Sequence, residues 1–237
     1  MTKHIFSEDP YTREYEARVI FASEESIELD STVFYPTGGG QPGDTGFINL
    51  KNGTKITVLN TLKDLNTGQV FHQINDCKAP SVLGETVIAT IDWDRRYRHM
   101  KMHTCLHLLG AIIDAPITGG QLGENKGRLD FDLPNLDLSK EQIELRLNEI
   151  IQSSQPTTIS WITDEDLAMQ PDLVRTMKVK PPAGKGKVRL LKIGNIDLQP
   201  CGGTHVKSTS EIGTVRIHKI QNKGKHNRRI HVSFAEQ

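Results

Sequence analysis

The chain has only three cysteines, Cys77, Cys105 and Cys201. So sparse and odd a set excludes a disulfide framework and points to a reducing, cytoplasmic setting, where a Cys/His cluster reads as a metal site. Long apolar runs are absent. Residues 1–8 lack the apolar core of a secretory leader, and no segment approaches the roughly 20 apolar residues of a membrane helix. Aromatics are 5% of the chain and mean hydropathy is −0.43, polar for a globular protein but above the disordered range. Net charge is zero, which removes any bulk drive toward polyanions. Acidic residues, however, are missing locally. None occurs from Leu173 to Ile196, where Arg175, Lys178, Lys180, Lys185, Lys187, Arg189 and Lys192 stand. None occurs from Ile212 to Ala235 either, a stretch with Arg216, Lys219, Lys223, Lys225, Arg228 and Arg229. Such asymmetry is a better sign of nucleic-acid contact than net charge.

The 237 residues allow one large domain or two ordinary ones. Tyr15–Phe21, Ile56–Leu59, Gln69–His72 and Glu85–Asp92 are short β-branched or aromatic runs. Asn52-Gly53 and Asn66-Thr67-Gly68 are hairpin signals between such runs. A small β-barrel is predicted over residues 1–92. From Trp93 the pattern changes. Tyr97, Met102, Leu106, Leu109 and Ile113 recur at helical spacings until Pro116, with His99, His103 and His107 on a separate line. A second helix is predicted from Ser139, with Gln142 completing a capping box and Ile143, Leu147, Ile150 and Ile151 as its apolar stripe. Strands are expected at Arg128–Leu133, Thr157–Ile162, Val188–Ile193, Gly213–Ile217 and Arg229–Phe234. Residues 93–237 therefore read as an α+β domain with an antiparallel sheet and two main helices.

Two short pairs carry the chemistry. His103 and His107 are four positions apart on the first predicted helix, so they share a face. Cys201 and His205 bracket Gly202-Gly203-Thr204, where Pro200 and the glycines permit a tight bend. Together they offer three imidazoles and one thiolate, a donor set that suits tetrahedral zinc, one ion per chain. His99 is left over once four ligands are counted and reads as a residue that orients a ligand. Cys105 reads as a core residue and Cys77 as a loop thiol. A zinc peptidase of the His-Glu-x-x-His type needs glutamate directly after its first histidine, and Thr104 stands there instead.

The run Phe34-Tyr35-Pro36-Thr37-Gly38-Gly39-Gly40-Gln41-Pro42-Gly43-Asp44 contains a formal G-x-G-x-x-G. The dinucleotide fingerprint requires a helix to open there, whereas Pro42 and Gly43-Asp44 lead into strand-like Phe47–Leu50. Two readings stand: a tight turn between strands, or a side-chain-free loop that approaches another backbone or a nucleic-acid end.

These segments, together with Trp93–Leu109, Arg128–Asp132, Pro200–Val206 and Gly224–Ile230, follow one another as they do in the editing region of alanyl-tRNA synthetases and its free-standing AlaX relatives. The chain resembles the medium-length type of that family over about residues 11–234. The resemblance implies a trans-acting deacylase that hydrolyses the ester of tRNA(Ala) charged with serine, or with glycine, and binds zinc through His103, His107, Cys201 and His205. It implies the mischarged acceptor end as partner, with no membrane and no obligatory protein partner.

An aminoacyl ester is activated, so its hydrolysis needs a placed water and stabilisation of a developing oxyanion. Zinc either activates that water or anchors the substrate's amine or carbonyl. Thr104 and Gln41 are the expected catalytic groups. Serine must be hydrolysed in preference to alanine, which a site that hydrogen-bonds the serine hydroxyl achieves. Thr118, Gln121, Gly39, Gly40, Arg128, Asp130, Gly202 and Gly203 are the expected substrate contacts, although Arg128 and Asp130 also read as an internal ion pair. Lys185, Lys187, Lys223, Lys225, Arg228 and Arg229 are the expected tRNA phosphate contacts. Three alternatives stay open: a non-catalytic zinc-stabilised tRNA-binding module, a deacylase of another mischarged tRNA, and a metallohydrolase of small esters or amides.

Overall fold

The computed structural model describes residues 2–76, 79–174 and 186–235. Cys77 and Lys185 lie outside the described residues, as do residues 175–184 of the first basic stretch. The chain divides into two compact units, Met1–Tyr97 and Arg98–Gln237.

In the first unit, seven strands form one sheet in the order Lys55–Val58, Gly46–Leu50, Thr86–Ile91, Glu14–Ala22, Ser26–Leu29, Val70–Gln73, Asn60–Lys63. The Asn52-Gly53 hairpin joins the first two, with Gly53 at φ 86. The ladders do not confirm the expected small β-barrel. The sheet order is linear, and its two end strands are consecutive segments that meet at Leu59. Leu59 donates its N–H to Gln73 O at 2.8 Å, so the chain turns a corner from one end of the sheet to the other, and among the described residues no ladder joins the two ends. Alternation along the strands buries Val19, Ile27, Leu29, Ile48, Ile56, Val87 and Ala89 in one core, which Phe34 joins from a loop.

Two charged side chains sit inside this unit. Arg96 and Asp44 are both fully buried and form a bidentate ion pair. Arg96 also donates to Pro10 O at 3.1 Å and Val33 O at 2.6 Å, and Tyr35 N–H donates to Asp44 at 2.6 Å. Every charge is thereby met by hydrogen bonds, the condition under which a buried pair is tolerated.

The long helix Trp93–Ile113 begins in the first unit and continues in the second. Its sequence suggests one apolar stripe with the histidines apart. In the structure, Met102 through Gly110 are buried without exception, histidines included. The helix therefore lacks a solvent face here, because neighbours cover it on more than one side. Among the described residues, the second unit holds two antiparallel sheets. One has the order Ile117–Leu122, Lys126–Asp132, Asn227–Phe234, Val215–Asn222, and the other the order Thr157–Thr163, Lys187–Ile193, Asp197–Pro200. Residues 117–122, which the sequence leaves as a connection, form an edge strand.

The second main helix, Lys140–Gln152, starts with the expected capping box of Ser139 and Gln142. It buries Ile143, Leu147 and Ile151, while Ile150 is half-buried. Asn148 exchanges two hydrogen bonds with the backbone of Val215, at 2.9 and 3.0 Å, fastening helix to strand. Two further short helices, Ile5–Glu8 and Asp164–Ala168, complete an α+β architecture.

Candidate metal centre

The ligand atoms of His103, His107, Cys201 and His205 lie within 4.8 Å of one another. The long helix supplies the first two and the loop after strand Asp197–Pro200 supplies the others. Cys201 Sγ is 3.2 Å from His205 Nε2 and 3.7 Å from His103 Nε2. Tetrahedral zinc with its usual bond lengths would separate neighbouring N and S ligands by about 3.3–3.6 Å. The donors thus fit zinc in both type and spacing.

The groups behind the ligands are arranged as a metal site requires. His107 Nδ1 donates to Asp197 Oδ2 at 2.9 Å, which leaves Nε2 for the cluster, and Gln199 Nε2 donates to the same oxygen at 2.8 Å. His205 Nδ1 lies 3.1 Å from Thr104 Oγ1, whose own proton goes to Met100 O at 2.9 Å. The hydroxyl therefore accepts from Nδ1 and leaves the His205 Nε2 lone pair facing the cluster. It also faces the N–H of Val206 at 3.3 Å. Buried Arg189 clamps the loop, donating to Cys201 O at 2.7 Å and Gly203 O at 2.9 Å. Gly203 N–H donates to Cys201 Sγ at 3.4 Å.

The four groups act strongly on one another's charge. Burial pushes the Cys201 thiol up, but His103, His205 and His107 outweigh it and bring the thiol well below its ordinary value, toward the thiolate a metal binds. Burial disfavours charge on His107, yet Cys201 and Asp197 raise it to about 10. Burial and the neighbouring His103 push His205 well below its ordinary value. Cys105, by contrast, is a core thiol pushed up to about 12 by burial. His99 is buried one turn before His103 and is not among the four converging residues.

The other expected residues are spread over several elements. Thr104 is beside the cluster, but its contacts run to His205, Met100 and Val206, which makes it a support for a ligand. Gly203 is buried in the metal loop, and Gly202 is exposed with open space around its Cα. Gln41, Gly39 and Gly40 belong to the other compact unit. There Gly38 and Gln41 exchange backbone hydrogen bonds at 2.9 and 3.1 Å around Gly39 and Gly40, whose φ values of 56 and 84 suit glycine. A Cβ at Gly43 would collide with Thr61 O, so the glycine run serves a tight turn and a close backbone approach within its own unit.

Gln121, Arg128 and Asp130 stand on the face of the four-stranded sheet away from the long helix. Side chains alternate along a strand. A Cβ at Gly127 would lie 3.0 Å from Met102 and 3.2 Å from Leu106, and Leu129 reaches Gly110 on the same helix. Residues 128 and 130 therefore point outward. Asp130 is held by Arg128 at 3.0 Å and bidentately by Arg229 at 2.6 and 2.7 Å, so the internal ion pair is what forms. Burial works against the Asp130 carboxylate, and the two arginines more than compensate, lowering its pKa. Thr118 donates to Asp130 O at 3.2 Å on the adjoining strand. Arg228 donates to Pro134 O and to Gly224 O, while Lys187, Lys223 and Lys225 are exposed. Sequence reasoning missed Asp197, Gln199 and Arg189. The two-residue spacing of Asp197, Gln199 and Cys201, strand-like and on one face, was the available signal.

Fold and site together define a two-unit α+β protein whose second unit carries a Cys/His₃ metal-type centre. Residues 188–231 match the model of the "Threonyl and Alanyl tRNA synthetase second additional domain", and residues 5–95 match that of "tRNA synthetases class II (A)". The chain is 36% identical to the alanyl-tRNA editing protein AlaX-M of Methanosarcina acetivorans over 100% of both chains. It is 37% identical to that of Saccharolobus solfataricus over 98% of both. With the alanine–tRNA ligase of Thermococcus kodakarensis, identity is 33% over 91% of this chain and 24% of the ligase. The chain belongs to the AlaX family of alanyl-tRNA editing proteins.

Proposed function

We propose that this protein is a free-standing aminoacyl-tRNA hydrolase that removes serine, and also glycine, from wrongly charged tRNA(Ala). The observation that carries the reading is the convergence of four ligating atoms within 4.8 Å, in a chain that spans the full length of named alanyl-tRNA editing proteins. His103, His107, Cys201 and His205 would hold zinc. When bound, zinc supplies a Lewis acid able to polarise the ester carbonyl or to fix the substrate's amine. The protein's own residues do the positioning. Asp197 orients His107, Thr104 orients His205, and Arg189 fixes the loop that carries Cys201 and His205. Gly202, exposed beside the cluster, leaves room for an aminoacyl group to approach without a side chain in its path.

The test is a panel of Ser-, Gly- and Ala-charged tRNA(Ala), with Ser- and Thr-tRNA on their own cognates, assayed with and without a chelator. Rapid release of serine from tRNA(Ala), sparing of Ala-tRNA(Ala), and loss on chelation with recovery on added zinc are expected. Binding without release would leave a zinc-stabilised RNA-binding module, and hydrolysis of a small ester without the tRNA body would leave a general metallohydrolase. Release of threonine in preference to serine would assign another mischarged tRNA.

A further inference from the structure

The four-stranded sheet turns one face to the long helix, and on its other face Gln121, Lys126, Arg216 and Lys219 are exposed. Its outward side chains form rows across the strands: Lys126, Ser233 and Arg216 in one row; Gln121, Arg128, His231 and Lys219 in the next. Below them come Gly119, Asp130, Arg229 and Gln221. Lys126, Arg216 and Lys219 are exposed. Acidic side chains at outward positions on these strands are Asp130, clasped between Arg128 and Arg229, and Asp132 at a strand end. We propose that this face is the phosphate-binding surface for the helical body of the tRNA, its cations Lys126, Arg128, Arg216, Lys219 and Arg229 matching the spaced charges of an RNA backbone.

The cations of the face also bear on its histidine. The pKa of His231 is lowered, by partial burial and then by Lys219, Arg229 and Arg128, with Asp130 opposing. The Asp130 clasp also has a use. It holds the two guanidinium groups of Arg128 and Arg229 in place on the face. A flat, twisted antiparallel sheet carrying cations in rows contacts phosphates without reading bases, which suits an enzyme that must accept the body of the tRNA and do chemistry only at its end. The face lies across the sheet from the helix bearing His103 and His107, so it grips the duplex and leaves the single-stranded 3′ end free to turn the sheet edge. This inference rests on the proposed tRNA substrate, but it concerns binding alone.

The test uses the full chain and two fluorescent RNA hairpins of the tRNA(Ala) acceptor arm, uncharged, one with and one without the single-stranded 3′ end. Kd is measured by anisotropy across a salt series. The triple variant Lys126→Gln, Arg216→Gln, Lys219→Gln changes exposed side chains and keeps the fold. It is expected to bind both hairpins about tenfold or more weakly and to lower the salt slope by roughly 0.7–0.9 for each phosphate no longer neutralised. A triple variant that keeps the charge, Lys126→Arg, Arg216→Lys, Lys219→Arg, should restore affinity, and Lys140→Gln on the second main helix should leave the slope alone. An unchanged Kd and slope in the glutamine variant, or binding that requires the 3′ end, would overturn the assignment. Serine release is read separately on charged tRNA. Absence of release with these binding results intact would sink the deacylase reading and leave the surface standing.

Discussion

His107 Nδ1 and Asp197 Oδ2 lie 2.9 Å apart, joining the long helix to the strand that leads into the metal loop. The bond fixes the tautomer of His107, and it does so from ninety positions away in sequence. Such carboxylate–histidine pairs raise the basicity of a metal ligand and set its ring plane. Replacement of Asp197 by Asn should lower zinc affinity by roughly 10–100-fold. Competition against a chromogenic chelator measures this, and an unchanged affinity would show that the pair is incidental.

Thr104 offers a sharper discrimination. Its hydroxyl is wholly buried and is engaged with Met100 O, His205 Nδ1 and Val206 N–H. Thr104→Val keeps the shape and strands these partners, at a cost of about 1–3 kcal/mol in stability. It should also weaken metal binding, whereas Thr104→Ser should preserve both. If the valine variant bound zinc normally and lost only serine release, the hydroxyl would instead be acting on the substrate.

Arg189 donates to both Cys201 O and Gly203 O, so it shapes the loop through its backbone. Arg189→Lys retains the charge without the planar fork. Reduced zinc affinity with little change in secondary structure by circular dichroism is expected. Equal affinity would mean that the Pro200–His205 bend holds its own shape.

In the first unit, Asp44→Asn would leave Arg96 charged, buried and poorly compensated. Unfolding of the full chain in urea should show a loss of about 3–5 kcal/mol. Arg96→Met combined with Asp44→Asn should cost less than the sum of the single changes, since the pair is coupled. Additivity would contradict the geometry seen here.

His72 predicts a pH effect. Its Nδ1 donates to Ile27 O at 2.9 Å and its Nε2 accepts from Thr32 at 2.8 Å, so the buried ring is neutral. Burial lowers its pKa from 6.5 to about 4, with the Ile27 hydrogen bond opposing. Between those values the unfolded chain binds the proton and the folded chain does not. Stability is therefore full above about pH 6.5 and falls as pH drops toward 4, by up to about 3 kcal/mol. Urea midpoints across that window should show the slope, and His72→Gln should flatten it between pH 6.5 and 5. An equally steep variant would move the effect to other groups.

The residues by themselves determined a good deal. Period-2 runs such as Tyr15–Phe21 and Arg229–Phe234 became strands, Ser139 and Gln142 capped a helix, and two spaced pairs marked the residues that converge, because each pattern is a local consequence of backbone geometry. Tertiary structure decided what neighbours a side chain meets. Arg128 and Asp130 look like site residues in the sequence, yet strand parity turns them away from the helix that bears His103, and register hands Asp130 to Arg229. Asp197 and Arg189 look ordinary, yet pairing of Lys187–Ile193 with Asp197–Pro200 sets them behind the metal loop. Residue types and spacings along a chain state which chemistry is available. Only long-range pairing states which groups share a low-dielectric pocket, where a carboxylate or guanidinium acts strongly on its neighbour.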